Sequence, residues 1–513
     1  MTIRDHEAVN ITEFNGLWAR GDKESCPLDH FTDCDNLKYI QSGFATRDGL
    51  NIINGAPGIP VAEMVRIYVY VHQDQESLLG LDTTGNIHHI IPNVSDTIVL
   101  TVAGMTDFTM LNVAGRAYIS PSNGITGLEN EFLYVYFGDG NPARKAAGLK
   151  PVGNTYTATL VFPGHVEAGV HVFGVVYETN SGFLTAIGPD ILPTVIGTNT
   201  HAVELTNIPV SGQPFVVARH IVVTKAINPT VYTGNTLGYQ FFFVPDGRIP
   251  DNTTTTFTVD FFDADLLEDA SHLLDNFEEI PAFVNLTTYH NRLVGVGEWG
   301  DPTDDEDFIK TSTARVSAIG EPEAISQVDG LIVAPLDGNP LTNCQEYRDV
   351  LYLFKNTRTY SYNDNGDVPS SWPGVTIDQG TGCGVHGIAT VLDSGGINIE
   401  FLLLANYSGL VMFNGSFIRP ELTWKIQDLW LGLVPQNNDE AREEFIQVQV
   451  MNDTISKRIY ITLPDYSIMY ADYADGLDPK NIKFCPWTFP NSVTTIALMD
   501  ITKLIIGSRV VVP

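Results

Sequence analysis

The chain has 513 residues, 43% of them hydrophobic, enough for a sizeable core and too many for intrinsic disorder. Asp and Glu number 61 against 28 Lys and Arg, a net charge of −33. Such a charge repels DNA, RNA and anionic lipid within a Debye length of ~8 Å at physiological salt, and no Lys/Arg cluster supplies the basic patch of a nucleic-acid reader.

The length suggests roughly three domains, unless a single β-propeller absorbs much of it. The opening "MTIRDHEAVNITEF" has no apolar h-region, so no signal peptide is expected, and no run of about 18 apolar residues predicts a transmembrane span. Five scattered cysteines, Cys26, Cys34, Cys344, Cys383 and Cys485, read as reduced thiols rather than a disulfide framework. In "CPLDHFTDC" the four-residue spacing of Cys26, His30 and Cys34 would align them on a helix. Pro27 argues for a loop, a fourth soft ligand is missing, and the residues are read as surface or packing groups. The Arg20-Gly21-Asp22 tripeptide is taken as chance in a Gly- and Asp-rich chain.

From 66 to 90, "RIYVYVHQDQESLLGLDTTGNIHHI" reads as three strands joined by tight turns, with Gly85 supplying a positive φ. His88 and His89 are neighbours in a strand, so they face opposite ways and cannot chelate together. Between about 150 and 262 the pattern changes to some seven short strands with turn signals every eight to twelve residues, the pattern of a β-sandwich. The missing Cys-Trp-Cys signature favours the fibronectin over the true immunoglobulin form. The stretches 263–280 and 420–433 carry the two helical candidates.

"NRLVGVGEWGDPTDDEDF" (291–308) starts as a strand and then crowds Glu298, Asp301, Asp304, Asp305, Glu306 and Asp307 together. Neither this run nor "DNGD" around Asp364 and Asp367 completes a calcium loop, and both are read as solvated loops. "SYNDNGDVPSSW" is one broken near-match to the sialidase-propeller repeat, with Asp364 one place too far from Ser361 and Trp372 too late. "GTGCGVHG" has Gly382, Gly384 and Gly387 in dinucleotide-fingerprint spacing, but a strand follows where a helix is needed. Cys383 and His386 lack an orienting third group. Strand-turn units at 349–366, 400–418, 444–473 and 494–512 recur at roughly 40 to 55 residues, the size of four-stranded propeller blades. The expected fold is mainly β: a propeller with an inserted fibronectin/immunoglobulin-like β-sandwich. Its parts are an N-terminal segment and first blades (1–149), the sandwich (150–270) and the remaining blades (271–513).

"CDNLKYIQSGFATRDGL", "EFLYVYFGDGNPARKAAGLKP", "VELTNIPVSG", "FFFVPDGRIPDNTTTTFTVDFFDADL", "YHNRLVGVG", "DGLIVAPLDGNPL" and "GCGVHGIATVL" follow one another in an order that resembles tail proteins of tailed bacteriophages, in particular the propeller-type nozzle of short-tailed phages. The resemblance spans roughly 30 to 430 as loose patterns. It implies a non-enzymatic virion protein without cofactor or metal, assembled in host cytoplasm into a homo-oligomeric ring, a hexamer, at the end of the tail. Its partners would be the tail adaptor or portal side, tail fibres or spikes, and the genomic DNA passing through without specific binding. A wall of lysine or arginine would release counterions and hold DNA; acids would not. Asp301, Asp304, Asp305, Glu306 and Asp307 are therefore candidate channel-facing acids. The rivals are a receptor-binding or glycan-degrading tail protein, with two carboxylates ~5 to 10 Å apart, and a secreted sugar-binding propeller.

Overall fold

The computed structural model describes residues 17–20, 26–27, 30–31, 34–40, 43–47, 51, 53–56, 59–153, 155–234, 238–299, 307–393, 399–433, 448–500 and 503–509. Strands dominate. Among the described residues, seven antiparallel sheets each begin with an inner strand: Met64–His72, Asp107–Val113, Asn285–Tyr289, Leu341–Tyr347, Ile388–Asp393, Val450–Asp453 and Ser492–Met499. Within each sheet the strands lie in chain order, so every sheet meanders outward from its first strand. The first six have four such strands, the third also pairing the short Leu331–Ile332 with its third strand. The seventh has two, Ser492–Met499 and Lys503–Arg509. The last inner strand returns to the first: Ile67 N–H donates to Thr495 Oγ1 at 3.1 Å and Thr494 Oγ1 to the Met64 carbonyl at 2.5 Å. The ring is thereby closed, and the sheets are blades of a β-propeller.

The turns follow from the sequence. Gly85, between the second and third strands of blade 1, has φ 88°, a conformation that costs a side-chain-bearing residue strain.

Among the described residues, the apolar clusters of the ring span neighbouring blades. Successive residues of a strand point to opposite faces. In blade 2, Ala117 and Ile119 therefore pack with Leu79 and Leu81 of blade 1, while Tyr118 packs with Phe283 and Leu293 of blade 3. In "EFLLLAN", Leu402 and Leu404 meet Tyr352 and Phe354 of blade 4, and Leu403 and Ala405 join the cluster of Ile459 and Ile461 in blade 6. With both faces covered, the strand reads as an unbroken apolar run instead of an alternation. Blade 7 seals blade 1 through Met64, Ile67, Ala497 and Ile505.

Between blades 2 and 3 the chain builds two further sheets. One has Thr157–Val161, Ala202–Thr206 and Thr256–Val259; the other has Thr194–Gly197, Gly169–Thr179, Val216–Thr224 and Phe241–Ile249, each in that spatial order. Tyr156, Phe173, Val175, Leu205, Ile221 and Phe261 form their common core. Arg144 fixes this inserted module to the ring. It donates to Asn180 Oδ1 and Ser181 Oγ of the module at 3.0 Å each, and to Glu323 Oε2 of blade 3 at 3.1 Å. Its guanidinium also lies 4.3 Å over the Phe215 ring. Buried Glu323 accepts as well from Ala147 N–H at 2.7 Å.

The helix expected over 263–280 does not form. The stretch holds only two short 3-10 turns, Asp263–Asp265 and Ser271–Asp275. Between them the backbone pairs with the module: Phe243 N–H reaches Glu268 O at 2.9 Å and Ala270 N–H reaches Phe241 O at 2.8 Å. Those bonds use the groups a helix needs, and Leu266 and Leu273 are buried without it. The stretch 420–433 forms a 3-10 turn, Leu422–Ile426, running into the α-helix Gln427–Leu433.

Candidate functional site at the ring centre

The inner strands bring polar side chains together where an open axis would otherwise lie. Arg66 of blade 1 forms a two-pronged pair with Asp107 of blade 2, Nε to Oδ1 at 2.8 Å and Nη2 to Oδ2 at 3.1 Å, both side chains 3% exposed. His386, just ahead of the inner strand of blade 5, meets Asp107 Oδ2 through Nε2 at 2.7 Å, and its Nδ1 is 3.2 Å from the Tyr68 hydroxyl. Arg66 Nη1 donates to Gln449 Oε1 at 3.4 Å, just ahead of blade 6. Gln449 Oε1 also accepts from Thr495 Oγ1 of blade 7 at 3.0 Å and from Ile496 N–H at 3.1 Å. The two remaining blades reach the same turn: Asn285 Nδ2 and Asn343 Nδ2 each donate to the Val385 carbonyl at 2.7 Å. Thr342 Oγ1 donates to the Cys383 carbonyl at 2.7 Å.

The charges at this centre hold one another. Burial alone would raise the Asp107 carboxyl, but Arg66 and His386 more than offset it and keep it well below the usual carboxylate range. Burial also opposes the Arg66 charge, and Asp107, by charge and hydrogen bonding, lifts its pKa above the ordinary value. His386 is lowered, first by burial and then by the Arg66 charge, with Asp107 acting against both. Burial is the main cause that raises the Tyr68 hydroxyl. An ionised Arg–Asp pair beside a neutral imidazole follows, a network in which each partner is satisfied.

"GTGCGVHG" therefore has a structural explanation. It is the turn onto which the inner strands of blades 3 and 4 and the Arg66–Asp107 pair converge. A Cβ on Gly382 would overlap the Lys355 carbonyl oxygen. Burial pushes the Cys383 thiol up, and both His386 ring nitrogens are engaged by Asp107 and Tyr68, so the two residues form no nucleophile–base pair.

Asp301, Asp304, Asp305 and Glu306 lie outside the described residues. Asp307 begins the short α-helix Asp307–Thr311. Glu298, at the head of the same run, is buried and paired with Arg315 Nε at 3.3 Å. Asp364 is paired with Arg292 Nε at 3.3 Å and accepts from the N–H of Gly366 at 2.8 Å. His88 bonds Asp96 and Asp82, while His89 bonds Ser77 and Tyr136, on opposite faces as strand geometry requires. Cys34 and His30 do not join Cys26 as a donor set: the Cys26 thiol donates to the Pro27 and His30 carbonyls. Of the tripeptide, Arg20 is described and Gly21 and Asp22 are not.

One grouping escaped sequence reasoning. The ligand atoms of His290, Glu346 and Asp349 lie within 4.8 Å of one another at two neighbouring hairpin tips. All three are at least partly exposed, an open arrangement unlike a closed four-donor site. Only the pairing of two hairpins from different blades creates it.

No family model matches the chain, and no curated protein matches it. Among solved structures, Hsv2 of Kluyveromyces lactis with its complete loop 6CD is similar at 10% identity, covering 83% of this chain and 98% of that one, with a TM-score of 0.28. Kluyveromyces lactis Hsv2 is similar at 11% identity, over 83% and 98%, with a TM-score of 0.27. Hsv2 of Kluyveromyces marxianus follows at 8% identity, over 83% and 97%, with a TM-score of 0.26. Overlaps this shallow carry no argument about the site. Among the described residues, no helix is long and apolar enough to cross a membrane.

Proposed function

We propose that this chain is a structural component of a bacteriophage tail. Copies of it assemble into a homo-oligomeric ring, a hexamer in the nozzle proteins it resembles, that conducts the DNA genome and docks adaptor and fibres. The observation that carries the reading is how the cations are used. Arg66, Arg144, Arg219, Arg248, Arg292 and Arg315 are each bound to a carboxylate of the same chain, in a molecule of net charge −33. A phosphate backbone meeting this surface finds acids in excess and little to release counterions against.

The filled centre places a constraint on the reading. DNA cannot pass through the propeller itself, so the bore lies between copies, with Asp301, Asp304, Asp305, Glu306 and Asp307 assigned to its wall. Replacing Asp301, Asp304, Asp305 and Asp307 by lysine is expected to slow genome ejection from virions; unchanged ejection kinetics would remove that wall assignment alone.

The inserted module is read as an immunoglobulin/fibronectin-type sandwich. In that fold strands B and E are neighbours in one sheet and C, F and G in the other. Thr157–Val161 beside Ala202–Thr206 supports the B–E pair, and Gly169–Thr179, Val216–Thr224, Phe241–Ile249 support C–F–G. The departure is at the edges: Thr256–Val259 pairs with the E-like strand, and Thr194–Gly197 is added beside the C-like one. Negative-stain imaging of the purified protein tests the whole reading. Rings with a central hole are expected; isolated globular monomers at every concentration count against it.

A further inference from the structure

Folding brings two of the five scattered cysteines together from opposite ends of the chain. Cys485 sits in Lys483–Trp487, the outermost strand of blade 6, and Cys34 just ahead of the hairpin of Leu37–Ile40 and Gly43–Thr46. The two segments run side by side. Asn36 N–H donates to the Pro486 carbonyl at 2.9 Å, Trp487 Nε1 to the Leu37 carbonyl at 2.6 Å, and Tyr39 Oη to the Phe484 carbonyl at 3.1 Å. Leu37 N–H points at Cys485 Sγ from 3.4 Å. Both cysteines are buried in the same apolar cluster with Tyr39 and Phe484.

The chemistry separates this pair from the rest. A hydrogen bond with Cys34 is the main cause that pulls the Cys485 thiol down; burial opposes it and the Leu37 N–H helps. Cys344 and Cys383 are raised by burial instead, and Cys26 donates to two carbonyls. Cys485 thus combines an anion-stabilising N–H with a second thiol at its side, the arrangement of an attacking and a resolving cysteine.

We propose that Cys34 and Cys485 are a redox pair that closes to a disulfide under oxidising conditions and staples the start of the chain to blade 6. With hydrogen peroxide as oxidant, the Cys485 thiolate attacks one peroxide oxygen and the O–O bond breaks. This leaves a sulfenic acid, and the departing hydroxide takes up the thiol proton as water. Cys34 sulfur then attacks Cys485 sulfur, the S–O bond breaks, and a second water leaves with the Cys34 proton. Two thiols are oxidised and one peroxide is reduced to two waters.

The experiment treats the full chain with dilute hydrogen peroxide, alkylates remaining thiols after unfolding, and maps non-reduced peptides by mass spectrometry. The expected result is a linked pair of peptides carrying residues 34 and 485, two hydrogens lighter than their sum, with alkylation lost at those two positions and retained at Cys344 and Cys383. In Cys34→Ser, Cys485 is expected to be trapped as a sulfenic acid that dimedone labels. Full alkylation of Cys34 and Cys485 in peroxide-treated wild type, or a link from either to Cys26, overturns the proposal. The wild-type measurement decides it even where the serine variant fails to fold.

Discussion

Arg66 at the ring centre and Arg219 in the inserted module are both fully enclosed, yet they are held by different chemistry. Arg66 meets a carboxylate as buried as itself, from the neighbouring blade, and a histidine and a glutamine from two more blades complete the contact. Arg219 reaches out to main-chain carbonyls, Thr254 at 2.6 Å, Pro209 at 3.0 Å and Asp251 at 3.1 Å, with the half-exposed Asp251 carboxylate at 3.3 Å. Their pKa values move in opposite directions. Asp107 lifts Arg66, whereas burial lowers Arg219 and Asp251 restores only part of the loss. Through Gln449 the first arginine also joins parts of the chain that only ring closure brings together, and the second ties two nearby loop segments. A buried cation can thus serve as a long-range closure device or as a local loop staple, and the partner decides which.

The comparison makes graded predictions. Arg66→Ala should have the largest effect, because it leaves Asp107 charged, buried and short of its main partner; breaking such a pair costs about 3–5 kcal/mol. The loss should appear in the unfolding transition of the propeller, followed by urea denaturation with circular dichroism. Arg219→Ala strands buried carbonyls but no buried ion and should cost about 1–3 kcal/mol. That loss should fall on the module, seen as earlier proteolytic cleavage between residues 150 and 262 with the propeller transition unmoved. Equal costs for the two variants, both in one transition, would erase the distinction between closure and staple.

The smallest effect is a pH dependence. His386 has its folded pKa below the unfolded value of about 6.5, so the unfolded chain binds more protons in that window and stability rises with pH across it. Acidification below about pH 6.5 should therefore weaken the ring. Asp107, also depressed, adds a second loss as pH falls below its unfolded value of about 4. His386→Gln should be less stable at neutral pH but flatter between pH 7 and 5. A slope unchanged from wild type would take His386 out of the titrating network.

The blades were legible because strand grammar is local. Val and Ile runs, Gly and Asn turns and the positive φ of Gly85 lie within a few residues of one another. The ring centre was not legible, since Arg66, Asp107, His386, Gln449 and Thr495 come from five blades and share no spacing. One signal was available: Arg66 in "MVRIYVY" is a lone charge inside an apolar strand, and a buried charge needs a partner somewhere. The helical reading of 263–280 failed for a related reason. Leu266, Leu267, Leu273 and Leu274 have helical spacing, but the backbone partners at Phe241 and Phe243 are invisible to a local pattern. The acid run was visible as composition, and the structure removed Glu298 from it by giving it Arg315.

Placing the ring's apolar clusters between neighbouring blades has a consequence for synthesis. A nascent chain that has completed blade 6 still presents a bare face on blade 1, and the polar side chains at the axis still lack Thr495. Only when the strands around Ala497 and Ile505 leave the ribosome can the first blade be covered. A fragment lacking them should behave as a sticky intermediate that needs a chaperone, and the ring should lock only once they are in place.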